Sequence, residues 1–160
     1  MQKDHTKMSN TSENHYRNLL IMAALSFISM YILMYAMVNS IDNVYNSFNE
    51  FYMAGLMTAP MILIELFLMR AMYPDKRRNA LIIAGSVAAG LAFFLLIRQQ
   101  GAVSDKQFLR SMIPHHAGAI LMCEQVTIQD SEIKELCRSI ISSQQEEIDQ
   151  MKAKLLELEK

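Results

Sequence analysis

An all-α protein, with three membrane-spanning helices followed by a helical hairpin outside the membrane, is what this sequence predicts. Three observations carry the prediction. The 160 residues are 52% hydrophobic and only 19% charged, a balance too apolar for an ordinary small soluble domain. Long apolar runs fill the chain as far as Arg98, and beyond it the pattern changes to apolar residues at helical spacing. Other classes are excluded by composition. With 15 basic and 16 acidic residues the net charge is -1, which offers no basic face for nucleic acid. Two cysteines cannot make a dense disulfide scaffold. Fourteen methionines beside no tryptophan are an excess that the elements must explain.

Residues 1–18 are polar, without the apolar core of a signal peptide, and read as a flexible N-terminal tail. Residues 19–98 form the membrane region. Leu19 to Val38 is an uncharged run long enough, at about 1.5 Å per residue, to cross a bilayer core of roughly 30 Å. The second span, 51–69, is apolar apart from Glu65 near its end, which can reach the interface or pair with Arg70, and it carries Pro60 in its middle. The third, 81–97, contains Gly85 and Gly90 and closes on Arg98. Lys3, Lys7 and Arg17 precede the first span, and Arg70, Lys76, Arg77 and Arg78 join the second to the third. The loop 39–50 has no basic residue. Because basic short loops stay on the cytoplasmic side, the N-terminus is expected inside and the C-terminal part outside, in a bacterial cytoplasmic (inner) membrane.

Residues 104–160 read as a helical hairpin. Ser104 with Gln107 has the form of a capping box, starting a helix over about 105–128 that Pro114 is expected to kink or restart. Asp130 or Ser131 can cap a second helix running to about Glu159. Its apolar stripe is Leu136, Ile140 or Ile141, Ile148, Met151, Leu155 and Leu158. Two amphipathic helices bury little alone, so pairing with a second copy into a ferritin-like four-helix bundle is expected.

The chemistry concentrates in Met112-Ile113-Pro114-His115-His116, followed by Met122 and Cys123. On a helix Met112, His115, Ala119 and Met122 share one face, and Met112, His116 and Cys123 an adjoining one. Thioethers, imidazoles and a thiol suit soft Cu(I), with Cu(II) also acceptable to imidazole. A turn centred near Asp130 sets Cys123 level with Cys137, His116 with Gln144, and Met112 with Ile148. Met151 then becomes a further thioether candidate, and Gln144 or Glu147 can hold a histidine ring N–H. Cys123 and Cys137 can form a disulfide, bind Cu(I) as thiolates, or stay as inert thiols. No enzyme is expected, because a catalytic thiol needs a base in reach, and His116 lies two helical turns, about 10 Å, from Cys123.

Phe108, Met112 to His116, Ala119-Ile120 and Met122, followed by Ile140-Ile141, Gln144, Glu147-Ile148 and Met151, closely resemble the small helical domain of unknown function 305, over about residues 105–156. The resemblance implies periplasmic binding of a copper ion through methionine and histidine, in the service of copper tolerance. By motif position it implies Met112, His115, His116, Met122 and Met151 as metal ligands. Cys123 and Cys137 stand where small residues are expected in that family, and the three spans lie outside the shared domain.

The expected function is therefore that of a membrane-anchored protein that sequesters copper or silver, or hands it to other copper-handling proteins. Protonation of the histidines below about pH 6.5 is expected to weaken the site. A second expectation is a copper-conducting channel or transporter accessory using the membrane stripes Met30, Met34, Met37 and Met53, Met57, Met61. Met53-x-x-x-Met57 on the second of three spans is similar to the thioether gate of eukaryotic copper-uptake channels. A third is a structural membrane protein whose hairpin dimerises.

Overall fold

The computed structural model describes the backbone from Gln2 to Lys160 and the side chains from Glu13 onward. The chain is all-α: helices α1 (Gln2–Leu33), α2 (Phe48–Leu68), α3 (Lys76–Gln99), α4 (Asp105–Gln125) and α5 (Ser131–Leu158), with short 3-10 turns at Met34–Met37, Ile41–Asn43 and Arg70–Met72. Among the described residues there is no strand. The helix that holds the first span begins at Gln2, so the residues read as a tail belong to α1. Two compact units emerge, one of residues 1–31 with 51–101, the other of residues 32–50 with 102–160.

The first unit holds most of three segments, Glu13–Met37, Phe48–Leu68 and Lys76–Gln99, that are each long and apolar enough to cross a membrane. Large apolar side chains such as Leu20, Leu25, Phe67, Leu81 and Leu91 point outward, as membrane helices require when lipid tails are the solvent. Three such helices suggest a membrane protein. Helix α2 carries most of the unit's buried residues: Tyr52, Ala54, Thr58, Ala59 and Leu66. Thr58 donates to the Ala54 carbonyl at 2.8 Å, which satisfies its hydroxyl within apolar surroundings. A Cβ on Gly55 would stand 2.6 Å from Phe93 Cζ, so the absent side chain is what lets that ring lie against α2. Gly55→Ala is therefore expected to force the ring aside and to cost about 1–3 kcal/mol by overpacking, read as a lower melting temperature in detergent. An unchanged melting point would show that the ring moves freely.

The basic end of this unit is built on tyrosines. Leu19, Leu66 and Tyr73 form a buried cluster. Tyr16 donates to Asn79 Oδ1 at 2.8 Å and accepts from the Asp75 backbone N–H at 3.2 Å. Glu65 does not pair with Arg70 in the hydrogen-bonded network; it accepts from the Tyr73 hydroxyl at 3.2 Å. Burial and the nearby Glu65 carboxylate push the Tyr73 hydroxyl above its ordinary pKa. Asp75 caps α3 through the N–H groups of Arg77 and Arg78. At the other end Gly101 N–H reaches the Leu96 carbonyl, closing the helix in the manner of a Schellman motif. The left-handed positions there are Gln100 (φ 50°) and Ala102 (φ 58°), while Gly101 is not among them.

The second unit is an antiparallel pair, α4 and α5, and its core is Ile113, Ala117, Ile120, Ile148 and Leu155. Helix α4 runs through Pro114 without a break. The proline forgoes one bond to the preceding turn, and the burial of Ile113, Pro114 and Ala117 on that turn holds the helix together. Ser104 accepts from Gln107 N–H, and Asp130 from the N–H groups of Glu132 and Ile133. Leu136, expected in the buried stripe, is 58% exposed.

Segment 32–50 belongs to this unit and was not expected there. Gln107 Oε1 accepts from Phe48 N–H at 2.9 Å, Asn49 donates to Ser111 Oγ at 3.2 Å, and Val38 and Tyr45 pack on the core. The backbone carbonyl of Met37 lies 3.5 Å from where a Gly118 Cβ would be. The capping-box partner Gln107 thus serves the 32–50 segment instead of returning to Ser104.

Candidate metal centre

Helix α4 presents the two histidines in opposite settings. His116 is buried and His115 is exposed, because neighbouring positions on a helix lie about 100° apart. Their ring centroids are 6.0 Å apart. His116 has both ring nitrogens engaged: Nδ1 lies 2.8 Å from the Met112 carbonyl oxygen and Nε2 2.6 Å from Glu147 Oε2 on α5. A carbonyl only accepts, so Nδ1 carries a hydrogen. The short contact at Nε2 then needs one proton held between imidazole and carboxylate, because two lone pairs cannot face each other at that distance. The pair is half open to water, since the Glu147 side chain is 51% exposed.

Both ring nitrogens of His116 are thus taken up by partners within the hairpin. One ring nitrogen is anchored by an N–H bond to a carbonyl, which fixes the tautomer and the ring plane. The other is closed off by the carboxylate at 2.6 Å, and becomes a donor to a cation only when the half-exposed Glu147 side chain moves back. The pairing of His116 with Glu147 also fixes the register, and the same register sets Met112 level with Met151 one turn away along both helices. Met112 and Met151 are both half-buried, and Met151 packs against the core. Met112, His116 and Met151 from the sequence-predicted ligands are therefore brought to adjacent rungs, joined by Glu147.

The other predicted ligands lie apart from these. His115 and Met122 sit on the outer face of α4, two turns from one another, and Met122 is 53% exposed. Cys123 and Cys137 are joined in a disulfide, with Cα atoms 5.3 Å apart, so in this form neither offers a thiolate to a metal. Their level pairing agrees with a turn centred near Asp130, whereas His116 meets Glu147 one turn beyond Gln144. Among the described residues no group of three or more His, Cys, Asp or Glu side chains is gathered to hold an ion. Donors beyond His116 and Glu147 would have to be thioethers or come from another molecule. In the first unit Met53 and Met57 are 37% and 46% exposed, on a different face of α2 from buried Tyr52, Ala54, Thr58 and Ala59.

Residues 92–155 match the family model of a domain of unknown function (DUF305), a segment that starts inside α3 and takes in all but the last residues of the hairpin. The chain is also 36% identical over 136 residues to an uncharacterized protein of Acanthamoeba polyphaga mimivirus, a match covering 83% of this chain and 88% of the viral protein. That match is far longer than the family segment, so it takes in part of the span region as well. No solved structure matches the chain.

Proposed function

The chain belongs to the domain of unknown function 305 (DUF305) family, and from that premise we propose that it is a membrane-anchored protein that binds copper or silver, sequestering the ion or handing it over, without catalysis. The observation that carries this reading is the His116 ring, fixed through Nδ1 to the Met112 carbonyl and facing Glu147 through Nε2. Binding of Cu(I) or Cu(II) would displace the shared proton and draw the half-exposed Glu147 side chain back from the ring; His116 and Glu147 would hold the ion, and the Met112 and Met151 thioethers would supply soft donors for Cu(I). His115 and Met122, on the outer face, suit contact with a second ion or a partner that receives the metal.

The reading puts the hairpin on the oxidising, extracytoplasmic side of a bacterial cytoplasmic membrane. Two features support that side. The loop that shares the hairpin's unit has no Lys or Arg, whereas Arg70, Lys76, Arg77 and Arg78 lie in the opposite loop. A disulfide persists in oxidising compartments and is rare in the cytosol. Exposed Val126, Ile133 and Leu136 give the hairpin an apolar face on which a second copy would complete a four-helix bundle. The outward exposure of Met53 and Met57 gives no support to a pore within one copy.

The test is a Cu(I) titration of the full chain in detergent with its disulfide intact, beside a His115→Ala/His116→Ala double variant. The full chain is needed because segment 32–50 packs on α4. Binding that is lost in the variant is the expected result; an absence of binding in the unaltered chain overturns the proposal.

A further inference from the structure

The Cys123–Cys137 disulfide lies outside the histidine site and outside the core. The core ends at Ile120 on α4, and on α5 the nearest residue packed against it is Ile141, so the sulfur atoms sit a turn further out, beside the 126–130 connection. Neither cysteine is buried. Both line a cavity of about 280 Å³ whose wall includes Val126, Ile128 and Ile141 and whose cations are Lys134 and Arg138. Lys134 stands one helical turn before Cys137, where a positive charge favours a thiolate over a thiol. Arg138 is held by Glu135 at 2.9 Å. A disulfide that is not buried can be reached by an attacking thiolate. This one is at the open end of a helix pair that Ile113, Ile120 and Ile148 hold together without it.

We propose that Cys123 and Cys137 are an exchangeable pair whose reduced form is a second soft-metal site, binding one Cu(I) or Ag(I) ion between two thiolates. Exchange needs an external dithiol as reductant. One of its thiolates attacks a sulfur of the pair, the Cys123–Cys137 bond breaks, and a mixed disulfide forms. The second thiolate of the reductant displaces that bond, leaving an oxidised dithiol and two cysteine thiols, with both electrons supplied by the reductant. The metal ion then displaces the thiol protons. Facing positions with Cα atoms 5.3 Å apart let both sulfurs reach one ion after modest side-chain rotation. Oxidation removes the site and leaves His116 and Glu147 untouched. The inference rests on the copper reading above for its choice of metal, while its residues are separate.

The experiment is alkylation of the full chain in detergent, without denaturant, followed by mass spectrometry. Both cysteines should label after treatment with dithiothreitol and become inert again on addition of its oxidised form; labelling that appears only in denaturant overturns exchangeability. In the reduced protein equimolar Ag(I) should slow alkylation by about tenfold or more, since the free thiolate is the nucleophile, and should do so equally in His115→Ala/His116→Ala. Alkylation unaffected by Ag(I), or protection lost in the histidine variant, overturns a separate dithiolate site. Cu(I) binding confined to the reduced chain would sink the histidine reading and leave this one; binding confined to the oxidised chain would do the reverse.

Discussion

His116→Ala and Glu147→Gln should each lower the Cu(I) affinity of the oxidised chain by about 100-fold, roughly 2.7 kcal/mol, the loss of one donor. His115→Ala should change it by no more than about threefold, less than 1 kcal/mol. The asymmetry follows from placement. His116 is 7% exposed and its ring is fixed at both nitrogens, so an ion that binds there meets a donor already oriented. His115 is exposed and must be ordered on binding, which costs side-chain entropy that the preset ring has already lost. Met112→Leu and Met151→Leu keep the volume and remove the thioether, and each should weaken Cu(I) more than Cu(II), because sulfur prefers the softer ion. Isothermal titration or competition with a Cu(I) chelator reads all of these. Equal losses from His115→Ala and His116→Ala would mean that the ion sits on the outer face of α4, and the rung of Met112, His116, Glu147 and Met151 would then be a structural device only.

Much of this could be read in the sequence because the signals are long or periodic. Three apolar runs were legible because uncharged stretches of that length admit little else, and each overlaps a helix long and apolar enough to cross a membrane. Asp130 as the second helix's cap placed the turn, and the turn set Cys123 against Cys137. The same register named Glu147 as one of two candidates for holding a histidine ring, and the one-turn offset between Gln144 and Glu147 lies below what counting residues can resolve. The packing of segment 32–50 against α4 was not legible. Its contacts are made by Gln107, Ser111 and Gly118, small or polar residues that look like weak points of an amphipathic helix and not like a second face. Ser47 and Glu50 of the same segment are buried although both are polar, which their residue types give no reason to expect. The helix does not restart at Pro114, because its neighbours' burial outweighs one missing hydrogen bond.

Ile148→Ala should destabilise the second unit by about 2–5 kcal/mol, the usual range for truncating a large buried aliphatic side chain to alanine. Ile148 has no exposed surface and lies in one cluster with Ile113, Ala117, Ile120 and Leu155. A core this small has few neighbours able to collapse into the space left behind, so the cavity contribution should be near its upper range. The effect should be local. Amide exchange across α4 and α5 should quicken while α2 and α3 keep their protection, because the two units have separate cores. Leu156, 64% exposed, is the control: Leu156→Ala should change stability by less than about 0.5 kcal/mol. The same substitution at 148 also bears on the site, since Ile148 directly follows Glu147 and precedes Met151 by one turn. Loosening that turn should weaken Cu(I) binding although no donor is removed, and the loss should shrink when the Cys123–Cys137 disulfide is intact, because the bond keeps the two helices in register. Exchange that quickened equally in both units, or copper affinity indifferent to Ile148, would show that the hairpin core does not position the ligands.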